Sequence, residues 1–184
     1  MDMLSSYAGA VRRNHDRVDA IDPGRLGDPT PCTEWDVRTL VGHLTGGYQM
    51  FAAVLGYPVP AGATPDDTAG VHRASGEAAI AAFGAAGALD GTVTLPVGEV
   101  PGHVALALAL TDAVVHGWDL AKATGQDTSI DEELAAVLLA GVEQMVGPQM
   151  RQPDGPMPVF AAPVAVGPDD PAADRLIAFL GRRP

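Results

Sequence analysis

The sequence predicts an all-α fold: a helical bundle, in one domain spanning 1–184, with a short β insertion and an extra helix at the C-terminal end. Three observations predict it. Apolar residues recur at helical spacing in several long stretches. Clusters of proline and glycine separate those stretches. A chain of 184 residues, 47% of them apolar, is enough for one good-sized core.

The first helix is predicted over 3–20, where Tyr7, Val11, Asn14, Val18 and Ile21 follow one face. The segment "DPGRLGDPTPC" then breaks it. A second helix is predicted from "TEWDVRTLVGHLTGGYQMFAAVLG", with Thr33 as N-cap and Asp36 three residues later as in a capping box. Its stripe is Val37, Leu40, Val41, Leu44, Tyr48, Phe51 and Leu55, and Gly56 and Pro58 end it. After the loop "YPVPAGATPDD" comes an alanine-rich, weakly patterned third helix over roughly 66–87. "GTVTLPVGEVPG" reads as a strand, a turn and a returning strand. The fourth helix runs from about 102 to 124 and stops at Gly125, a natural C' residue. A fifth, "DEELAAVLLAGVEQMV", opens on acids that complement the helix dipole. A proline-rich loop and a short helix, "AADRLIAFLG", follow.

A net charge of -12 argues against a nucleic-acid partner, whose phosphates it would repel, and against an anionic membrane surface. The longest apolar run, "VALALAL", is too short to span a bilayer. No basic start followed by an apolar stretch marks a secretory signal. One cysteine, Cys32, excludes a disulfide framework within the chain and fits a reducing, cytoplasmic setting.

The chemistry concentrates in "TDAVVHGWDLAKATG". Asp112 and His116 are four residues apart, on one helical face, and Asp119 is three further on. His43 lies beside the apolar stripe of the second helix and should point into the bundle. If the second and fourth helices are neighbours, His43, Asp112 and His116 offer two imidazoles and a carboxylate, a sound ligand set for a divalent metal such as zinc, nickel, iron or copper. Three protein ligands leave positions open, as catalytic sites do. Asp119 would stand behind them, accepting a hydrogen bond from a ligand imidazole. The plain alternative is a hydrogen-bonded Asp–His pair and a packed core histidine.

The motifs go further. "PTPCTEWDVRTLVGHL" followed by "TDAVVHGWDLAKATG" resembles the DinB/YfiT-like superfamily, and more narrowly the metal-binding domain of mycothiol-dependent maleylpyruvate isomerases and their small stand-alone actinobacterial relatives. "DRLIAFLGRRP" resembles the end of that stand-alone group, so the likeness covers about 30–183. The resemblance implies a four-helix bundle with a crossover connection and a divalent metal, zinc or nickel, on His43, Asp112 and His116. It also implies mycothiol or a similar thiol as cosubstrate, and bundles that often dimerise. Two features depart from it. The isomerase has Glu where this chain has Asp112, one methylene shorter, and it carries a further C-terminal domain where this chain has a proline-rich tail and a short helix.

The remaining candidates are read as structural. Trp35 and Trp118 are expected to pack, and Cys32 to be a small buried residue, although a thiolate before a helix start would be stabilised. Gly46 and Gly47 leave room for a substrate or let helices approach. His15 is a candidate extra polar group facing the bundle, His72 is expected in solvent, and His103 lies two to three turns from the site. Two functions remain open: a metal-dependent enzyme acting on a small molecule, by thiol transfer, isomerisation or hydrolysis, or a metal-containing binding or structural module without turnover. An exchangeable open coordination position would mark the first, and a fourth protein ligand with no entrance the second.

Overall fold

A computed structural model describes residues 2–58, 67–96, 98–151 and 160–184. Its helices are α1 (Met3–Asp19), α2 (Val37–Val54), α3 (Thr68–Gly84), α4 (Gly102–Thr124), α5 (Glu132–Met145) and α6 (Ala172–Phe179), with an antiparallel hairpin of β1 (Thr92–Leu95) and β2 (Gly98–Pro101) before α4. The chain divides into two compact units, 1–128 and 129–184.

In the first unit, side-chain pairs set the direction of each helix. Arg12 meets Glu77 and Asp19 meets Arg73, so α1 and α3 are antiparallel. Thr45 meets His72 and Gln49 meets Ser75, so α2 and α3 run parallel. The connection between α2 and α3 therefore returns along the bundle, which is the crossover the resemblance implied; most of its "YPVPAGATPDD" segment lies outside the described residues. On α4, Ala113 takes a hydrogen bond from Asn14 of α1. Tyr7, Val11, Leu40, Leu44, Tyr48, Phe83, Leu106 and Leu110 are buried and make the core.

Helix α2 begins later than its capping box suggested. Asp36, not Thr33, is the N-cap, and its carboxylate accepts from Thr39 N at 2.8 Å. Pro29 and Asp36 form an isolated β-bridge, and Thr30 holds the loop between them: its Oγ1 donates to Trp35 O at 2.8 Å and accepts from Cys32 N at 3.1 Å. That bonding keeps 33–35 out of the helix.

Helix α4 ends as its sequence requires. Gly125 takes the left-handed conformation at φ 73°. Arg25 reaches across to donate to the last carbonyls, of Thr124 at 2.5 Å and Ala123 at 2.8 Å. With 23 residues, α4 is apolar and long enough to cross a membrane, but 67% of its most apolar window is buried and it carries Asp112, His116 and Asp119. Those features are those of a core helix.

In the second unit, Asp131 caps α5 by accepting from Leu134 N at 2.9 Å. Glu132 then serves the start of α6, accepting from Ala172 N at 2.7 Å, so a carboxylate meets the positive end of that helix. Leu138, Leu139, Val142, Leu176 and Ile177 are buried. Of the proline-rich tail, 152–159 lie outside the described residues.

Candidate metal centre

Helices α2 and α4 are neighbours, as the site required. His43 Nε2 lies 3.1 Å from Asp112 Oδ1, and His116 Nε2 lies 3.6 Å from the same oxygen. Ligand atoms of all three residues are within 4.8 Å of one another. The two imidazoles are at 4.6 Å between ring centroids, nearly perpendicular. Their i, i+4 spacing places Asp112 and His116 on one face of α4, and His43 meets them from across the groove.

The other nitrogen of His116 is also engaged. Its Nδ1 donates to Asp119 Oδ2 at 3.0 Å, and Asp119 is completely buried. That bond fixes the tautomer and leaves the lone pair of Nε2 aimed at the His43–Asp112 side. Exposure falls off in the same direction. The side chains of His43 and Asp112 are 35% and 30% exposed and that of His116 is 14% exposed. The cluster is open on one side and closed by protein on the other.

Two residues expected only to pack are part of this cluster. Trp35 lies against both imidazoles, 4.6 Å from the His43 ring and 5.6 Å from that of His116. Cys32 is half-buried, donates its thiol to Asp119 Oδ2 at 3.2 Å, and lies 3.7 Å from His116 Nδ1. Both come from the loop that Thr30 holds, and neither has a periodic signal that would reveal its direction. The sequence did place Cys32 directly ahead of the second helix, which was the available hint. A Cβ on Gly47 would meet Asp112 Oδ2 at 3.5 Å, an ordinary contact, so that glycine is not demanded by crowding. Trp118 packs in the core as expected.

Behind the site is a buried polar layer. Asn14 Nδ2 donates to Ala113 O at 2.8 Å and to Tyr48 Oη at 3.2 Å. Burial, with a smaller contribution from the charge of Asp112, pushes the Tyr48 phenol well above its ordinary range, so it stays neutral. His15 is buried, as its candidate role required. His72 is fully buried too, which corrects the expectation of a solvated side chain: apart from Phe83 near its end, α3 packs through alanine, glycine and serine and shows no apolar stripe to reveal its inner face. Burial first, then the neighbouring His15, pulls the His72 imidazole down to about 4.

Helical bundles build metal sites from side chains on facing helices, and the His43, Asp112 and His116 donors are a group that could hold such an ion. The family model described as "Mycothiol maleylpyruvate isomerase N-terminal domain" matches residues 7–88, which include His43. Two curated relatives, "Uncharacterized protein MT0763" and "Uncharacterized protein Rv0738", come from two strains of Mycobacterium tuberculosis. Each is 43% identical to this chain over 158 residues, 86% of this chain and 85% of the relative. No solved structure matches. The chain belongs to one family with these mycobacterial relatives, and over residues 7–88 it matches the mycothiol maleylpyruvate isomerase N-terminal domain, consistent with the DinB/YfiT-like resemblance of its motifs.

Proposed function

We propose that this protein is a divalent-metal enzyme that uses a low-molecular-weight thiol of the mycothiol type to transfer sulfur to, or isomerise, a small electrophile. One observation carries the reading: the donor set of His43, Asp112 and His116 is built on rigid helices, backed by a buried carboxylate, and exposed on one side. The donors fit zinc or nickel, because two neutral imidazoles and one carboxylate suit borderline cations and balance part of the charge. When bound there, such an ion supplies a Lewis acid that makes a thiol or a water acidic near neutral pH.

The chain's own residues do the rest. Asp119 holds His116 in the tautomer that offers Nε2. The exposed sides of His43 and Asp112 leave an approach for a substrate. Trp35 screens the imidazoles from water and gives an apolar wall to the entrance. This openness favours turnover over a closed structural site, in which a fourth protein ligand would be expected. The proposal places the protein in the cytoplasm, where a reduced thiol cosubstrate is available.

Elemental analysis of protein purified without a histidine tag tests the site. The expected result is about one divalent ion per chain in the wild type and near none in His43→Ala and His116→Ala. A wild type that takes up no zinc or nickel at neutral pH would end the proposal. Asp119→Asn is a finer probe. It should keep the ligands and weaken metal binding roughly 10–100-fold in a chelator competition. An unchanged affinity would show that Asp119 does not support His116.

A further inference from the structure

The cluster contains a second donor triangle. Cys32 Sγ, His116 Nδ1 and Asp119 Oδ2 are separated by 3.0, 3.2 and 3.7 Å. A tetrahedral ion of zinc's size, bound through sulfur, nitrogen and oxygen, holds its donors about 3.3–3.6 Å apart. The triangle therefore needs shifts of only a few tenths of an ångström. Its parts are held from both sides: Cys32 by the Thr30 loop, and His116 and Asp119 by one turn of α4. The completely buried Asp119 carboxylate, which accepts from His116 Nδ1 and the Cys32 thiol, would also supply negative charge to balance a cation there.

We propose that Cys32, His116 and Asp119 form a second cation site, selective for thiophilic metal ions, that competes with the His43–Asp112–His116 site through the imidazole they share. The competition follows from the ring. With an ion on Nε2, Nδ1 keeps its proton and donates it to Asp119. An ion on Nδ1 takes that nitrogen's lone pair, so the proton moves to Nε2 and the first site loses a donor. As the sulfur–metal bond forms, the Cys32 proton leaves to solvent. A soft ion such as cadmium or copper(I) selects the thiolate set, and nickel, a harder ion than either, selects the imidazole–carboxylate set. By linkage, each ion weakens the other by the same factor.

The test is a cadmium chloride titration of the full chain, freed of metal with a chelator and kept reduced, followed by the ultraviolet thiolate-to-cadmium charge-transfer band. The band should appear in the wild type, vanish in Cys32→Ser and persist in His43→Ala and Asp112→Asn. Preloading with nickel should raise the cadmium concentration for half-saturation at least tenfold. Cadmium binding without the band would overturn the proposal, as would the absence of cadmium binding. Loss of the band in a folded His43→Ala protein would overturn it too, because Cys32 would then belong to one joint centre. Equal half-saturation with and without bound nickel would remove the competition. Nickel content is read on the same samples, so a protein that takes no nickel at the first site is told apart from one whose Cys32 set does not bind. Circular dichroism checks folding, and His43→Gln replaces His43→Ala if the latter is unfolded.

Discussion

Gly117→Ala should destabilise the bundle by about 2–4 kcal/mol, despite gaining roughly 1 kcal/mol in helix propensity. Gly117 is buried on α4 against Asn14 and Arg17 of α1. A Cβ there would lie 2.2 Å from Asn14 Oδ1 and 2.7 Å from Arg17 Nη1. Asn14 has little freedom to retreat. Its Oδ1 accepts from Arg17 Nη1 at 3.1 Å, and its Nδ2 serves Ala113 O and Tyr48 Oη. Moving it breaks buried hydrogen bonds, each costing about 1–3 kcal/mol when a partner is left unsatisfied. Arg17 is similarly committed, donating to Asp127 O at 3.0 Å. The effect reaches the site as well, because Gly117 follows His116 directly. Chemical denaturation should show a lower midpoint with an unchanged slope. A stability equal to or above that of the wild type would mean that α1 slides away without loss, and that the Asn14 network does not lock α1 to α4.

Much of the site was legible because helices impose a period. Asp112 and His116, four apart in an apolar run, had to share a face, and Asp119 had to fall close to it. His43 was legible from its place beside a strong apolar stripe. What escaped is held by hydrogen bonds that no period announces. Thr33 has the right chemistry for an N-cap, but the Pro29–Asp36 bridge and the Thr30 contacts hold that stretch extended, so the cap passes to Asp36. The same loop carries Trp35 onto the imidazoles and Cys32 onto Asp119. In α3 the signal was missing for a different reason. Small residues let helices approach closely without an apolar stripe, so the inward direction of His72 left no mark on the pattern.

That buried histidine gives the stability of the metal-free protein a defined pH dependence. Thr45 Oγ1 donates its proton to Val41 O at 2.8 Å, so it accepts from His72 Nδ1 at 2.9 Å. His72 is therefore the neutral Nδ1–H tautomer, and its Nε2 is buried without a hydrogen-bond partner among the described residues. Protonating Nε2 puts a charge beside His15 of α1 and Tyr48 of α2, with Arg73 adding repulsion and Asp19 relieving a part. The folded-state value is about 4 against an ordinary 6.5. Between those values the unfolded chain binds more protons, so stability is full above 6.5 and falls as the pH is lowered toward 4. The loss amounts to about 3 kcal/mol, at 1.36 kcal/mol per unit. His15 adds to it with the same sign, since burial, followed by Arg73, also lowers its value, while Glu77 opposes. Denaturation of chelator-treated protein at several pH values measures the slope. His72→Asn keeps a donor for Thr45 and removes the titration, so its stability should vary much less between pH 6.5 and 5, above the range in which ordinary carboxylates titrate. An equal slope in His72→Asn and wild type would assign the acid sensitivity to other groups.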